Sequence, residues 1–347
     1  MTEAKNRNVL FVVFQRGNMS LEMLIIGAGP AGISMGAEAV ASGIDSDKVL
    51  ILEKAPEHSY MIRKFYPEQK LVTANYKGQA AVCNGVMCIP DYSKSETLSY
   101  LDQAIEKHNI NVKYQETVWK LEQLKDGSFY VSSDKGEYQT KTCIIAIGMM
   151  GKPNKPDYKI PSELNGKVHF DITSKKIENA KVLVVGGGDS ASEYVQYLSQ
   201  EGNAVDLSYR KDSFARMNEI NINSLMALCE REKTELILNS NVCELKANGE
   251  MVEVVFNEEN IPNRLYEHVV YALGGSTPKN FLKLLKIEFS GEDDQPVVKE
   301  GYETSIPGLF LVGDLSAGKR GGSIISAFNS SHEAMKKICT DYLTCKI

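Results

Sequence analysis

The sequence predicts an α/β fold made of two three-layer, Rossmann-like halves. Three observations carry that prediction: two glycine-rich turns that each follow an apolar strand and open a helix, two later apolar strands that each stop at Ala-x-Gly, and a proline-rich connector between the two sets. The first apolar run, Leu24-Ile25-Ile26, leads into Gly27-Ala28-Gly29-Pro30-Ala31-Gly32. In that pattern the first glycine permits a tight turn, the second lets backbone amides approach a pyrophosphate, and the third lets the helix lie close on its strand. The pyrophosphate is then held at the helix N-terminus, where unpaired N–H groups and the helix dipole favour negative charge. The next strand, Val49-Leu50-Ile51-Leu52, ends in Glu53 and Lys54. An acid about twenty residues past the third glycine accepts hydrogen bonds from ribose hydroxyls, which fits the adenosine of FAD or NAD. Cys143-Ile144-Ile145-Ala146-Ile147-Gly148 closes this first set.

Gly151-Lys152-Pro153-Asn154-Lys155-Pro156 suits neither a helix nor a central strand and marks a boundary. Beyond it the plan repeats. Val182-Leu183-Val184-Val185 runs into Gly186-Gly187-Gly188-Asp189-Ser190-Ala191, and Ala204–Tyr209 ends in Arg210-Lys211, with Arg216 shortly after. Cations at that position suit a 2′-phosphate, so the second dinucleotide is expected to be NADPH and not NADH. Val269-Val270-Tyr271-Ala272-Leu273-Gly274 closes the second set. A last strand within Pro307–Asp314 ends in Gly313-Asp314 and enters a helix through Gly321-Gly322-Ser323 and Ile324.

The 347 residues fit about two domains, with a sizeable core implied by 43% apolar and 24% charged residues. A net charge of −6 without a lysine/arginine tract argues against nucleic acid as a partner. Seven cysteines, an odd number spread through apparent core strands, read as reduced thiols of a cytoplasmic protein. No run approaches the roughly eighteen apolar residues that span a bilayer. Residues 1–20 read as an extension outside the core: the apolar stretch Val9–Phe14 is short, is closed by Gln15-Arg16 and lacks a cleavage site. Met19 is a second candidate start of the functional part.

The order of these motifs over residues 22 to about 340 resembles the low-molecular-weight thioredoxin-reductase-like flavoproteins. The resemblance implies a discontinuous FAD domain, residues 21–150 and 276–347, with an NADPH domain, residues 151–275, inserted in it. It also implies that Asp314 bonds the ribityl chain of FAD and that the helix from Ser323 points its N-terminus at the pyrimidine edge of the flavin.

A thioredoxin reductase carries Cys-x-x-Cys before the second glycine motif, yet residues 149–181 hold no cysteine, so thioredoxin reduction is not expected. Cys83-Asn84-Gly85-Val86-Met87-Cys88 is the remaining close pair. Its Asn-Gly turn is able to bring the sulfurs together, and the alternative is two inert core thiols. Without a thiol relay the flavin passes electrons directly to an outside acceptor. Phe65-Tyr66-Pro67-Glu68 resembles the Tyr-Pro-Glu segment of thioredoxin-reductase-like ferredoxin–NADP reductases, whose tyrosine stacks on the flavin. The stretches 148–161 and 271–278 are similar to the flavodoxin:quinone reductases of epsilonproteobacteria. The function implied is an NADPH-dependent FAD oxidoreductase serving flavodoxin, ferredoxin or a quinone, as a homodimer and with no catalytic side chain of its own. Arg63, Lys64, Lys319 and Arg320 are candidate docking cations for an acidic carrier. The alternatives are a disulfide reductase similar to the bacillithiol-disulfide reductases, which carry a cysteine where this chain has Ala31, a flavin monooxygenase, and a non-enzymatic FAD/NADPH sensor.

Overall fold

Alternation along two apolar strands sets the layers of this fold. Strand β1 (Leu21–Ile26) sends Met23 and Ile25 into one core and Leu24 and Ile26 into another, because successive side chains leave a strand on opposite faces. All four are buried, the pattern of a strand covered on both sides. Helix α1 (Pro30–Ala41) has Pro at its start, where the missing N–H costs nothing. After it come β2 (Val49–Leu52), α2 (Tyr60–Phe65), α3 (Lys94–Lys107), β3 (Asn111–Lys113), β4 (Val118–Gln123), β5 (Phe129–Ser133) and β6 (Glu137–Ile145). The computed structural model describes residues 21–347 apart from positions 67, 69–70, 73–81, 149–152, 173–174, 216, 218, 233, 275–278, 292–294, 318–321 and 346–347. The extension 1–20, Arg216, Lys319, Arg320 and the first two connector residues, Gly151 and Lys152, therefore lie outside the described residues.

The second run repeats the first. It comprises β7 (Val168–His169), β8 (Lys181–Val185), α4 (Asp189–Gln200), β9 (Ala204–Tyr209), α5 (Glu219–Glu232), β10 (Leu236–Leu238), β11 (Val242–Asn248), β12 (Met251–Phe256), β13 (Arg264–Tyr266) and β14 (His268–Tyr271). Strands β10-β9-β8-β14-β7 form a parallel sheet, and β11-β12-β13 a separate antiparallel one. Val182 and Val184 face α4 and α5 through Val195, Leu198, Leu225 and Leu228, whereas Leu183 faces Val252, Val254 and Tyr266 of the antiparallel sheet. The result is three layers.

The last elements are α6 (Lys279–Leu284), β15 (Leu309–Leu311), α7 (Asp314–Ala317) and α8 (Ile324–Asp341). β15 returns to the first sheet, which has seven strands in the order β3-β2-β1-β6-β5-β4 with β15 also on β6. The long β6 makes this arrangement work. On one side residues 140–145 pair with β1; on the other, 137–140 pair antiparallel with β5 and 143–145 pair parallel with β15. Helices α1, α3 and α8 cover one face; on the other, Leu282 of α6 and Leu285 pack with Val118, Phe129 and Val131 from the β4–β5 end of the sheet.

The cysteines correct one sequence expectation. Cys83–Cys88 and Cys339–Cys345 are disulfides with Cα atoms 5.6 and 5.4 Å apart, while Cys143, Cys229 and Cys243 are free. Both pairs are local: the Asn84-Gly85 turn and the chain reversal after α8 bring each pair within bridging distance. Of the two, Cys83–Cys88 is the pairing that the Asn84-Gly85 turn left open, and Cys339–Cys345 was not expected.

Candidate functional site

A cavity of about 400 Å³ opens at the C-terminal ends of β1, β2 and β6. Gly27, Gly29, Pro30, Ala31, Glu53, Lys54, Tyr66, Gly148, Gly313, Asp314, Ser323 and Ile324 all line it, so the structure brings together residues that lie almost 300 positions apart in sequence. Gly27 turns at φ +104°, and a Cβ there would meet the Ala146 carbonyl oxygen at 2.7 Å. Gly32 sits behind the wall: a Cβ on it would lie 1.9 Å from the Gly27 carbonyl oxygen, so α1 rests on the turn only because the residue is glycine. Gly29 is the N-cap of α1 and no side chain caps that helix, whereas α3 and α8 carry full capping boxes. Helix α1 thus presents uncapped amides to the cavity, as an anion requires.

Glu53 is buried at the end of β2. Its Oε2 accepts the Ala28 N–H at 2.7 Å and its Oε1 the Ala55 N–H at 2.8 Å, which fixes the carboxylate at the cavity wall with lone pairs to spare. Lys54 beside it is exposed. Across the cavity, burial pushes the Asp314 carboxyl above its usual range, and no described residue hydrogen-bonds it. A Cβ on Gly322 would come 2.0 Å from Asp314 Oδ1, so the chain packs against this acid. A desolvated acceptor facing a cavity is the complement of a hydroxyl-bearing ligand. Ser323 caps α8 by accepting the Ser326 N–H at 3.1 Å, and Ile324 and Ala327 of its first turn reach the cavity. Tyr66, half-buried just past α2, lines it as well.

Sequence reasoning missed Ala55, Ser59 to Ile62, Glu116 to Val118, Phe281 and Ala327, which also line the cavity. Ser59 adopts φ +51°, and its hydroxyl lies 3.1 Å from His58 Nδ1; His58 Nε2 lies 2.7 Å from Asp102 Oδ1. Burial lowers the His58 pKa against the opposing pull of Asp102. Glu116 is set by Ser133 and Tyr138, partners supplied by β5 and β6, and no local pattern announces it.

The second glycine turn lies at the end of β8. A Cβ on Gly186 would meet the Ala272 carbonyl oxygen at 2.5 Å, while Gly188, the N-cap of α4, faces open space and again has no side-chain cap. Gly187, which the fingerprint does not single out, is required by Tyr209: a Cβ would lie 2.0 Å from that ring, which stacks on Phe214 with centroids 5.3 Å apart. Asp189 Oδ1 accepts from Asn221 Nδ2 at 3.0 Å, joining α4 to α5, and Ser190 precedes the buried Ala191. Arg210 and Lys211 are adjacent and exposed just beyond β9. Gly274 follows β14, and its carbonyl accepts the Asn154 N–H at 2.9 Å. The structure therefore places all of the predicted second-site residues except Arg216. Among the described residues no group of three or more His, Cys, Asp or Glu could hold a metal, and no helix is long and apolar enough to cross a membrane.

Known proteins match along nearly the whole chain. A ferredoxin–NADP reductase of Metallosphaera sedula is 27% identical over 305 residues, 85% of each chain. Ferredoxin–NADP reductase 1 of Listeria monocytogenes is 25% identical over 315 residues, 89% of each. Among solved structures, bacillithiol disulfide reductase from Bacillus cereus superposes with a TM-score of 0.77 at 19% identity, covering 92% of this chain and 99% of that one. Thioredoxin reductase of T. acidophilum gives 0.74 at 22%, covering 93% and 98%. These structural likenesses establish the fold: two Rossmann-like units of thioredoxin-reductase type. Residues 24–313 match the pattern of the pyridine nucleotide-disulphide oxidoreductases, and with both glycine cradles and their strand ends in place the chain belongs to that family.

Proposed function

We propose that this chain is an NADPH-dependent flavoprotein oxidoreductase that holds FAD in the large cavity, NADPH at the β8–α4 turn, and delivers electrons to a ferredoxin- or flavodoxin-type carrier. Bound FAD supplies the chemistry, taking a hydride equivalent from the nicotinamide and releasing electrons to the acceptor. The chain supplies position and field. Gly27, Gly29, Pro30, Ala31 and Gly32 seat the pyrophosphate on α1; Glu53 takes the ribose hydroxyls with Lys54 beside it; Asp314 takes the ribityl hydroxyls. Gly148, Gly313, Ser323 and Ile324 wall the ring end, and Tyr66 stacks on it. At the second site Gly186, Gly188, Asp189, Ser190 and Ala191 form the turn and first helical residues under the NADPH pyrophosphate. Arg210 and Lys211, with Arg216, hold the 2′-phosphate, and Gly274 closes the site. On this reading residues 21–150 and 276–347 form the FAD domain and 151–275 the NADPH domain.

The observation that carries the reading is the pair of uncapped helix N-termini, α1 and α4, each seated on a glycine turn that a Cβ would obstruct. The choice of a carrier as acceptor is supported by the names of the relatives and by a cavity lining that includes no cysteine among the described residues. The test is anaerobic. Purified protein is expected to be yellow, to be bleached by NADPH far faster than by NADH, and to regain colour rapidly with reduced-carrier formation when ferredoxin or flavodoxin is added. Recovery with a quinone alone would reassign the acceptor, and a colourless protein that refuses FAD would end the proposal.

A further inference from the structure

We propose that the Cys83–Cys88 disulfide is a second redox centre: a surface thiol–disulfide exchange site that serves a dithiol protein, separate from the cofactor cavity. Neither cysteine lines the cavity, so the electrons that open this bond come from a thiol partner in solution. Cys88 is the one exposed member of the four disulfide-bonded cysteines; Cys83 is half-buried against the core. An exposed sulfur is open to in-line attack by a thiolate, and exposed disulfides are the labile and catalytic ones.

The loop that carries the pair is held by more than its sulfurs. Asn329 of α8 brackets it, its Nδ2 donating to the Val82 carbonyl at 2.7 Å and its Oδ1 accepting the Asn84 N–H at 3.0 Å. Glu38 of α1 accepts the Val86 N–H at 2.7 Å, and the Tyr100 hydroxyl of α3 accepts the Cys88 N–H at 2.9 Å. The backbone at Gly85 comes so close that a Cβ would lie 1.9 Å from Glu38 Oε1. None of these bonds involves a sulfur atom, so cleavage of the bridge removes none of them directly. The reduced cysteines therefore stay near their bridging separation, and re-closure pays little ordering entropy. Cys339–Cys345 is built differently: both cysteines are half-buried, and the residues between them, Tyr342 and Leu343, pack into the core, with Tyr342 edge-on to Phe310.

The immediate surroundings select a protein partner. Val82 and Val86, 67% and 45% exposed, flank the half-cystines and form an apolar collar that a protein surface covers and a charged small thiol does not. In the forward step one thiolate of the partner attacks Cys88 Sγ. The Cys83–Cys88 bond breaks, and Cys83 leaves as a thiolate and takes a proton. The partner's second thiol then attacks the mixed disulfide and releases Cys88 as a thiol. Two electrons and two protons pass to this chain, and the partner ends as a disulfide.

The test uses full-length, diamide-oxidised protein, both FAD-loaded and FAD-free, so that its outcome is independent of the flavin assignment. The protein is incubated without oxygen with reduced thioredoxin as the dithiol-protein probe, or with dithiothreitol, then alkylated and mapped by peptide mass spectrometry. Cys83 and Cys88 are expected to be labelled together, at least tenfold faster than Cys339 and Cys345, and faster by thioredoxin than by dithiothreitol at equal thiol. A thioredoxin whose resolving cysteine is replaced by serine is expected to become linked through Cys88. Equal rates for the two pairs, labelling only after denaturation, no bridge after diamide, or reduction by dithiothreitol alone would each overturn the proposal.

Discussion

Gly32 and Gly29 sit three residues apart in one fingerprint, yet the structure gives them different work, and replacing each by alanine separates fold from ligand. At Gly32 the new Cβ would lie 1.9 Å from the Gly27 carbonyl oxygen, far inside the 3.0 Å that real Cβ atoms essentially never breach, and the obstacle is backbone. Helix α1 must lift from β1. Overpacking of a fixed core costs about 1–3 kcal/mol, and a clash this deep belongs at the top of that range, a fall of roughly 4 °C in Tm for the cofactor-free protein. At Gly29 the nearest atom is 3.9 Å away and the backbone is extended at φ −80°, so alanine fits the chain and points at the proposed pyrophosphate seat. Cofactor-free Gly29→Ala is expected to melt within about 2 °C of the parent, while its Kd for FAD rises at least about tenfold, or 1.4 kcal/mol. Differential scanning calorimetry with and without FAD, together with flavin retained on a desalting column, reads both quantities. An unchanged Tm for Gly32→Ala, or full FAD retention by Gly29→Ala, would refute the reasoning.

Three further outcomes follow from the sites. The double substitution Arg210→Ala with Lys211→Ala is expected to raise KM for NADPH by about tenfold or more per lost charge-assisted contact and to leave KM for NADH nearly unchanged; equal effects on the two coenzymes would remove the 2′-phosphate assignment. Burial raises the Asp314 pKa in the folded state, so the cofactor-free fold binds that proton more tightly than the unfolded chain and loses stability as pH rises through the window above the ordinary carboxyl value. Asp314→Asn should flatten that slope while weakening FAD by about 1.5–3 kcal/mol, and a variant that binds FAD as tightly as the parent would contradict the assignment. Burial, with the positive charge of His268 and Lys175 second, pushes His169 down to about 4 from 6.5. Between those values only the unfolded chain takes the proton, so stability is full above about pH 6.5 and falls as the solution is acidified toward 4. Tm measured against pH should show that fall reduced in His169→Gln, since His268 remains to titrate.

What the sequence disclosed was local. Gly27, Gly29 and Gly32, then Glu53, are separated by a turn, a helix and a strand whose lengths hardly vary, so their spacing alone brings Gly27, Gly29 and Glu53 to one cavity with Gly32 behind it. Asp314, Ser323 and Ile324 were reached only through the resemblance, because they join the cavity by β15 pairing with β6 across more than 160 residues. Glu116 and Phe281 had no such guide. Their positions depend on the β4–β5 meander and on α6, and nothing in their neighbours encodes a cavity. Gly187 shows the opposite limit: its glycine serves the Tyr209 ring, a partner twenty-two residues away that no fingerprint includes. The Cys83–Cys88 bridge was legible as one of two alternatives because a turn-forming Asn84-Gly85 separates the pair, whereas Cys339 and Cys345 are joined by the chain's course after α8, which no local signal marks.

Strands β6 and β15 are neighbours, and the whole second run leaves the first sheet from one and comes back to the other. Its two crossings are also fastened together, with the Asn154 backbone N–H on the Gly274 carbonyl at 2.9 Å and the Asn154 side-chain amide on the Leu273 carbonyl at 3.2 Å. Outgoing and incoming chain are thus bonded side by side at Asn154 and Leu273–Gly274. On the proposed domain reading, a swing of residues 151–275 would carry these two bonded chain ends together, since each end is tied to the other and not to the seven-stranded sheet.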